Sequence, residues 1–166
     1  MVVDTPTFAE IRALELLGEP DAPDEFEDVN GHVSITGHLA THERASWAWI
    51  EALGLHSPRI ASRTGIMDLE HHLRYLAEMR TGARLAVHLR WLGRSNRVVH
   101  GMTFALDLDD EVLVSTLEFT SAHVDLIERR AVPFDDDVAE RLDTRIAEDE
   151  RGWPAPVCGV MGVSRR

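Results

Sequence analysis

Five consecutive residues near the start of the chain, residues 28–32, combine groups that can carry out hydrolysis. Asp28 supplies a carboxylate, which can act as a general base on water or attack a carbonyl directly. Asn30 and His32 can orient that water, and Gly31 permits a turn that other residues resist. Asp and Asn also cap helices and form turns, and the pattern alone favours this simpler structural role.

A helix is predicted shortly after this segment, over residues 39–53, and Gly54 follows as a typical C-terminal stop. Alanines keep its other faces narrow, which favours a buried helix. The predicted apolar stripe consists of Leu39, Trp47, Ile50 and Leu53. The helix N-terminus offers free N–H groups and a positive dipole end to residues 28–32. A thioester carbonyl there would find donors for its oxyanion, each worth roughly 3–4 kcal/mol of transition-state stabilisation.

Beyond this helix the apolar period changes to two, which predicts about four antiparallel strands. In the first strand, the two faces are predicted to carry Met67, Leu69, His71, Leu73 and Tyr75 on one side, and Asp68, Glu70, His72 and Arg74 on the other. Further extended runs cover residues 85–91, 98–108 and 112–124, and the breaks between them have the composition of hairpin turns.

The two ends of the chain carry weaker patterns. Residues 8–17 fit either a helix or a strand. Residues 135–150 predict a polar helix whose apolar stripe is Val138, Leu142 and Ile146, and the extended residues 153–156 are apolar enough to dock on the rest. We therefore expect one domain over residues 1–166, with its core at about 8–130 and a C-terminal helix and tail at about 135–166.

Composition and charge exclude several classes of function. The net charge of −12 argues against nucleic acid as a partner, because phosphate binding relies on a basic surface. The apolar runs are too short to span a membrane. Residues 1–10 lack the basic and apolar regions of a secretory signal, and the single cysteine, Cys158, cannot form an internal disulfide. These features favour a cytoplasmic protein.

Four segments, taken in order, resemble one known family, the thioesterase superfamily of the hot-dog fold. Residues 28–32 resemble the Asp-Tyr-Asn-Gly-His motif ahead of its helix, and residues 70–76 resemble its second strand. Residues 95–100 and 117–130 resemble a later turn and the last strand with its exit. The resemblance covers roughly residues 8–145 and is closest to the branch with thioesterases of carnitine and betaine metabolism. Ser34 and His38 stand where that branch usually has Asn and Tyr.

The resemblance implies an α+β hot-dog fold, in which an antiparallel sheet wraps around one long central helix and a short C-terminal helix follows. It also implies an acyl-CoA thioesterase that releases a small free acid and coenzyme A, with active sites between the subunits of a homodimer or homotetramer. No cofactor is expected, since coenzyme A enters as part of the substrate.

The resemblance further implies roles for individual residues. Asp28 would be the general base or nucleophile, Asn30 and His32 would shape the site, and the backbone around Gly31 and His32 would supply oxyanion donors. Because the acidic surface repels polyphosphates at long range, coenzyme A must rely on local basic residues. The remaining candidates are Glu70 as a second carboxylate, Arg94 and Arg97 for the phosphates, and His38, His72 and His100 for substrate binding.

Two other functions stay open on this fold: a hydratase or dehydratase acting on an enoyl- or hydroxyacyl-CoA, and a non-catalytic acyl-CoA binding module. A resident metal is not expected. His38 and His42 have the helical spacing of metal ligands, but the sequence lacks the rest of the zinc-protease pattern. Cys158 lies in a Pro/Gly-rich tail with no partnering motif, and no Gly-x-Ser-x-Gly motif is present.

Overall fold

A computed structural model describes residues 5–22, 24–55 and 63–163. The α-helices are α1 (Phe8–Arg12), α2 (Ile35–Ala52) and α3 (Asp136–Asp149), and a short 3₁₀ turn covers Asp24–Phe26. The strands are β1 (Glu15–Gly18), β2 (Thr64–Tyr75), β3 (Leu85–Arg94), β4 (Val98–Asp107), β5 (Val112–Asp125) and β6 (Arg130–Ala131). Within the described ranges, no helix is long and apolar enough to cross a membrane.

The strands form one antiparallel sheet in the order β1-β3-β4-β5-β2, and β6 pairs with the end of β5. The long strands β3, β4 and β5 occupy the middle and are buried along most of their length. Among the described residues, strand β2 lies at an edge of the sheet and pairs with β5 alone. Helix α2 packs across one face of this sheet, as the predicted central helix does.

The buried stripe of α2 differs from the predicted one. Leu39 and Trp47 are 38% and 44% exposed, so the prediction that they form the core stripe was wrong. The helix instead buries His38, His42, Ala45 and Trp49. The stripe was misplaced because two histidines occupy the inward positions, and a search for apolar spacing passes over them.

His42 is fully buried, and both of its ring nitrogens have hydroxyl partners. Nδ1 lies 2.8 Å from Thr103 Oγ1 on β4, and Nε2 lies 3.0 Å from Ser115 Oγ on β5. Burial lowers the pKa of His42 to about 3, so the ring is neutral at physiological pH. These two bonds fix α2 against the middle of the sheet at a set rotation, which in turn sets the direction of its N-terminus.

The aromatic core lies next to this contact. Trp49 stacks on Phe119 of β5 with ring centroids 5.9 Å apart, and it meets Trp91 of β3 edge-on at 5.2 Å. The predicted stripe of α3 joins the same cluster, since Val138, Leu142 and Ile146 are all buried there. That prediction is confirmed. Large aromatic areas at the C-terminal half of α2 anchor the helix and leave its N-terminal half to carry polar groups.

The structure of the N-terminal segment and of the tail answers questions that the sequence left open. Residues 8–17 form a short helix and then a strand, so both readings are partly right. Trp153 of the tail packs edge-on against Phe104, with centroids 5.5 Å apart, and beneath the guanidinium of Arg90 at 4.3 Å. The expected docking of residues 153–156 is therefore confirmed. The tail covers the sheet face that points away from α2.

Strand β2 contains a β-bulge that changes which side chains share a face. The pairing with β5 shifts register between Asp68 and Glu70. Asp68 and His71 consequently line the same cavity beside α2, although the sequence placed them on opposite faces. The prediction was wrong for the first half of the strand because an extra residue reverses the alternation.

Candidate active site

Residues 28–32 form a compact turn directly before α2. The Asn30 N–H donates to Asp28 Oδ1 at 2.8 Å, and the Gly31 N–H donates to the Asp28 carbonyl at 3.0 Å. The Asp28 N–H closes the turn by donating to the His32 carbonyl at 2.8 Å. Gly31 has a φ of +79°, which a residue with a side chain adopts only under strain. The turn therefore needs both the short carboxylate and the glycine.

This turn holds Asp28 in its ionised form. The hydrogen bond from the Asn30 N–H is the main cause that lowers the pKa of Asp28. The His32 N–H and the Asn30 side-chain amide lower this pKa further. The carboxylate is thus a charged base at neutral pH, and it lies at the surface rather than in the core. An ionised, accessible carboxylate is the state that both general-base and nucleophilic catalysis require.

Three contacts fasten the turn to α2 and to the loop after β2. The Ser34 N–H donates to the Phe26 carbonyl at 2.7 Å, and the Val33 N–H donates to the Met79 carbonyl at 2.8 Å. Ser34 is also the N-cap of α2, since its Oγ accepts from the Gly37 N–H at 3.4 Å. Serine thus performs the capping that the family's Asn can also perform.

Gly37 allows this close packing. A Cβ added at Gly37 would lie 2.4 Å from Val33 Cγ1 and 2.6 Å from Phe26 Cβ, which is closer than real contacts allow. Residues on both sides of the Asp28 turn therefore rest directly on the backbone of the first helical turn. Sequence reasoning missed this role, because a glycine inside a predicted helix reads only as a weak helix former.

Main-chain donors are available beside the turn. The Gly31 N–H is already bonded within the turn, and the His32 N–H interacts with the Asp28 carboxylate, so neither of the two expected donors is left for a substrate. In the part of the chain that the structure describes, no acceptor reaches the N–H groups of Ile35 and Thr36 in the first turn of α2. These groups carry the positive end of the helix dipole. The His32 ring lies 3.3 Å from the Glu78 carboxylate.

His38 lies one turn further along α2 and is only 4% exposed. Its ring meets Tyr75, the last residue of β2, edge-on with centroids 5.0 Å apart. Burial lowers the pKa of His38, so the ring is neutral, and its Nδ1 atom has no hydrogen-bond partner among the described residues. An unpaired buried nitrogen at this position is available to a bound molecule.

The other predicted site residues lie apart from this turn. Glu70 and Arg97 line one open cavity of about 700 Å³ on the sheet face away from α2. Arg94 is committed to a two-bond ion pair with Asp143 of α3, at 2.7 and 2.5 Å. His72 and His100 lie near Glu118, beneath the tail. Glu70, His72 and His100 therefore lie across the sheet from α2, whereas Arg94 is held by α3, which packs beside α2.

A smaller cavity of about 110 Å³ opens between α2 and the edge of the sheet. Trp47, Ile50 and Phe119 give it apolar walls, and Asp68 and His71 add polar groups. Asp68 accepts a 2.6 Å hydrogen bond from Ser121, and its other oxygen lies 3.6 Å from the His71 ring. No residue spacing predicts this cavity, because the β-bulge that turns Asp68 inward has no sequence signature here.

These features fit a known family. Residues 23–142 match the thioesterase-like superfamily, and the chain belongs to it. The betainyl-CoA thioesterase of Pseudomonas aeruginosa is 32% identical over 150 residues, which are 84% of this chain and 89% of that protein. The predicted family and the class of thioester hydrolase are confirmed.

Solved structures support the same fold. A Staphylococcus aureus protein solved in complex with CoA has a TM-score of 0.78 at 17% identity, covering 97% of this chain and 99% of that one. A structure from Pseudomonas putida, described as that of a candidate thioesterase, has a TM-score of 0.75 at 22% identity, covering 92% of this chain and 97% of that one. The predicted α+β hot-dog fold is therefore confirmed.

Proposed function

We propose that the protein hydrolyses a small acyl-CoA thioester, with Asp28 as the general base or nucleophile. The observation that carries this proposal is the turn itself. An accessible carboxylate, kept ionised by the Asn30 N–H, lies in the turn before the long helix α2, whose first N–H groups have no acceptor among the described residues. Membership of the thioesterase-like superfamily supports the same reaction.

In the general-base route, Asp28 takes a proton from water as the water oxygen attacks the thioester carbonyl. Negative charge then develops on the carbonyl oxygen. The N–H groups of Ile35 and Thr36 are the donors proposed to stabilise it. Collapse of the intermediate breaks the C–S bond, and the coenzyme A thiolate takes up a proton. In the nucleophilic route, the Asp28 carboxylate bonds to the acyl carbon, the C–S bond breaks, and the coenzyme A thiolate leaves and takes up a proton. Water then hydrolyses the resulting anhydride, which releases the free acid and restores the Asp28 carboxylate.

A second copy of the chain is proposed to complete the site. Strand β2 is a twelve-residue edge strand, and its exposed apolar side chains include Met67 and Leu69, at 45% and 59% exposure. Long, exposed apolar edges are normally covered in native proteins. Covering this edge with another copy would bring the partner's surface towards Asp28, and Arg97 and Glu70 are proposed to contribute there. Dimer and tetramer both satisfy this requirement.

Betainyl-CoA is the first substrate to test. The proposal rests on the Pseudomonas aeruginosa relative and on local charge. Glu27, Asp28 and Glu78 surround the turn, and acidic groups favour a cationic acyl chain such as a betainyl group. Cytoplasmic location is part of the same proposal, since the chain has a single cysteine and no possible internal disulfide.

The direct test is thiol release from a panel of acyl-CoAs, followed with a thiol-reactive dye. Betainyl-CoA is compared with tert-butylacetyl-CoA, which has nearly the same shape but no charge. We expect thiol release from small acyl groups and faster release from the charged one. An enoyl-CoA is included, and loss of its double bond without thiol release would point to a hydratase instead. Binding of every acyl-CoA without any product would contradict the proposal.

A further inference from the structure

A cluster of ligand-type side chains lies on the sheet face away from α2, beneath the tail. It consists of His72 on β2, Glu118 on β5 and Cys158 in the tail. One donor atom from each, an imidazole nitrogen, a carboxylate oxygen and the thiol sulfur, lies within 4.8 Å of the other two. His72 and Glu118 are directly paired across the two strands, so the sheet itself fixes their spacing.

Glu118 is unusual because its carboxylate is completely buried. His100 Nε2 donates to Oε1 at 2.8 Å, and the Cys158 N–H donates to Oε2 at 2.6 Å. Buried carboxylates are normally paired with a cation or bound to a metal. The two hydrogen bonds hold the carboxylate in place, and they leave lone pairs on the side where the His72 ring and the Cys158 thiol converge.

We infer that His72, Glu118 and Cys158 bind one Zn²⁺ ion. Thiolate, imidazole and carboxylate are the three ligand types that zinc takes in proteins. At zinc bond lengths, tetrahedral ligand atoms lie about 3.3–3.8 Å apart. Because the three donor atoms already lie within 4.8 Å of one another, they need to close by at most about 1.5 Å. Cys158 is on the tail, outside the sheet, and can make that movement.

His100 is a positioning residue in this site. It holds Glu118 Oε1 by a hydrogen bond, and such outer hydrogen bonds orient metal-bound carboxylates. The fourth tetrahedral position is left to water. Binding removes the proton from the Cys158 thiol and releases it to solvent, since only the thiolate binds the ion. No electron transfer is involved.

The site would join three separate parts of the chain. It links the edge strand β2, the central strand β5 and the tail, and it lies across the sheet from the Asp28 turn. Zinc that binds only the folded chain stabilises it, and the stabilisation grows with the logarithm of the zinc concentration above the Kd. The predicted role is therefore to clamp the tail onto the sheet, independently of thioester hydrolysis.

The test uses the full chain, stripped of metal with a chelator. One metal-free sample is titrated with Zn²⁺, and a separate one is titrated with Co²⁺ as a coloured substitute. We expect one ion per chain and a thiolate-to-cobalt charge-transfer band in the near ultraviolet. Cys158→Ser removes the band, and His72→Gln weakens zinc binding at least tenfold. His71→Gln is the matched control, because it changes the adjacent histidine on the opposite face of β2.

Circular dichroism of each variant checks that the fold is retained, and proteolysis after Arg151 provides a second readout. Zinc should slow cleavage there in the unmodified chain and in His71→Gln, and it should have no effect in Cys158→Ser. Absence of a charge-transfer band in the unmodified chain would overturn the inference. Zinc affinity equal to that of the unmodified chain in folded Cys158→Ser and His72→Gln would overturn it as well, since the ion would then bind elsewhere.

Discussion

Asp28 and Glu118 are two carboxylates with lowered pKa values in opposite environments. At Asp28 the main cause is a hydrogen bond from the neighbouring Asn30 N–H. At Glu118 burial would raise the pKa, but hydrogen bonds from His100 and from the Cys158 N–H outweigh it and lower the pKa. Both groups are ionised at neutral pH, yet only Asp28 lies where a substrate can reach it.

The difference shows that ionisation alone does not identify a reactive group. Asp28 makes its bonds within its own turn, so the rest of the fold depends little on it. Glu118 joins strands and tail, so its surroundings depend on its charge. The comparison predicts that changes at the turn affect catalysis, whereas changes beneath the tail affect stability.

The largest expected effect on stability is that of Glu118→Ala. Removing the buried carboxylate leaves His100 and the Cys158 N–H without their partner, which typically destabilises a protein by about 3–5 kcal/mol. Asp28→Ala should change the free energy of unfolding by less than about 1 kcal/mol, because its hydrogen bonds are local and near water. Urea denaturation of both variants measures the difference, and equal losses would refute the comparison.

The next effect concerns the packing of the turn. Gly37→Ala forces a methyl group against Val33 and Phe26 and displaces the Asp28 turn. A shift of about 1 Å in a reacting group can lower the rate about 100-fold, so we expect that loss in kcat/KM. Gly18→Ala is the control, since a Cβ at Gly18 meets nothing within 4 Å. Similar kcat/KM values for the two variants would disprove the positioning role.

A smaller effect is expected at the N-cap of α2. Ser34→Ala removes a side-chain cap bond and should reduce stability by about 1 kcal/mol. Asp135→Ala is the comparison, because Asp135 is the N-cap of α3 but makes no side-chain cap bond. Asp135→Ala should lower the free energy of unfolding by only a few tenths of a kcal/mol. Thermal unfolding ranks the two variants, and the reverse order would contradict the described cap.

The smallest effect is the pH dependence from Glu118. Because its pKa is lower in the folded chain than in the unfolded one, its contribution to stability is complete above the ordinary value of 4.5 and is lost as the pH falls below it. Glu118→Gln should therefore lose less stability in acid than the unmodified chain does. Urea titrations at several acidic pH values compare the two slopes, and parallel slopes would exclude this contribution.

The sequence predicts the elements of this fold well, because most of them follow from local periodicity. Strands β3, β4 and β5 and helix α3 lie within a few residues of their predicted positions, since alternation and helical spacing directly report which residues face the core. The errors lie where local rules are broken. His42 occupies an inward position as a polar residue, and the bulge after Asp68 reverses the alternation in β2.

The candidate site likewise has parts that the sequence predicts and parts that it does not. The Asp28 turn is contiguous in sequence and could be recognised from its residue types. The roles of Gly37 and of the cavity beside His71 depend on contacts between distant segments. The cluster of His72, Glu118 and Cys158 joins three remote positions, so no spacing rule predicts it. The roles assigned to Glu70, Arg97 and the other site residues remain predictions.

The central claim is that Asp28 is the reacting group of a thioesterase, and the most direct test is thiol release by Asp28→Asn. Asp24→Asn is the matched control, since it removes an exposed carboxylate four residues earlier. The account predicts that kcat/KM falls about 10³-fold in Asp28→Asn and is unchanged in Asp24→Asn. Full activity in a folded Asp28→Asn variant would contradict it.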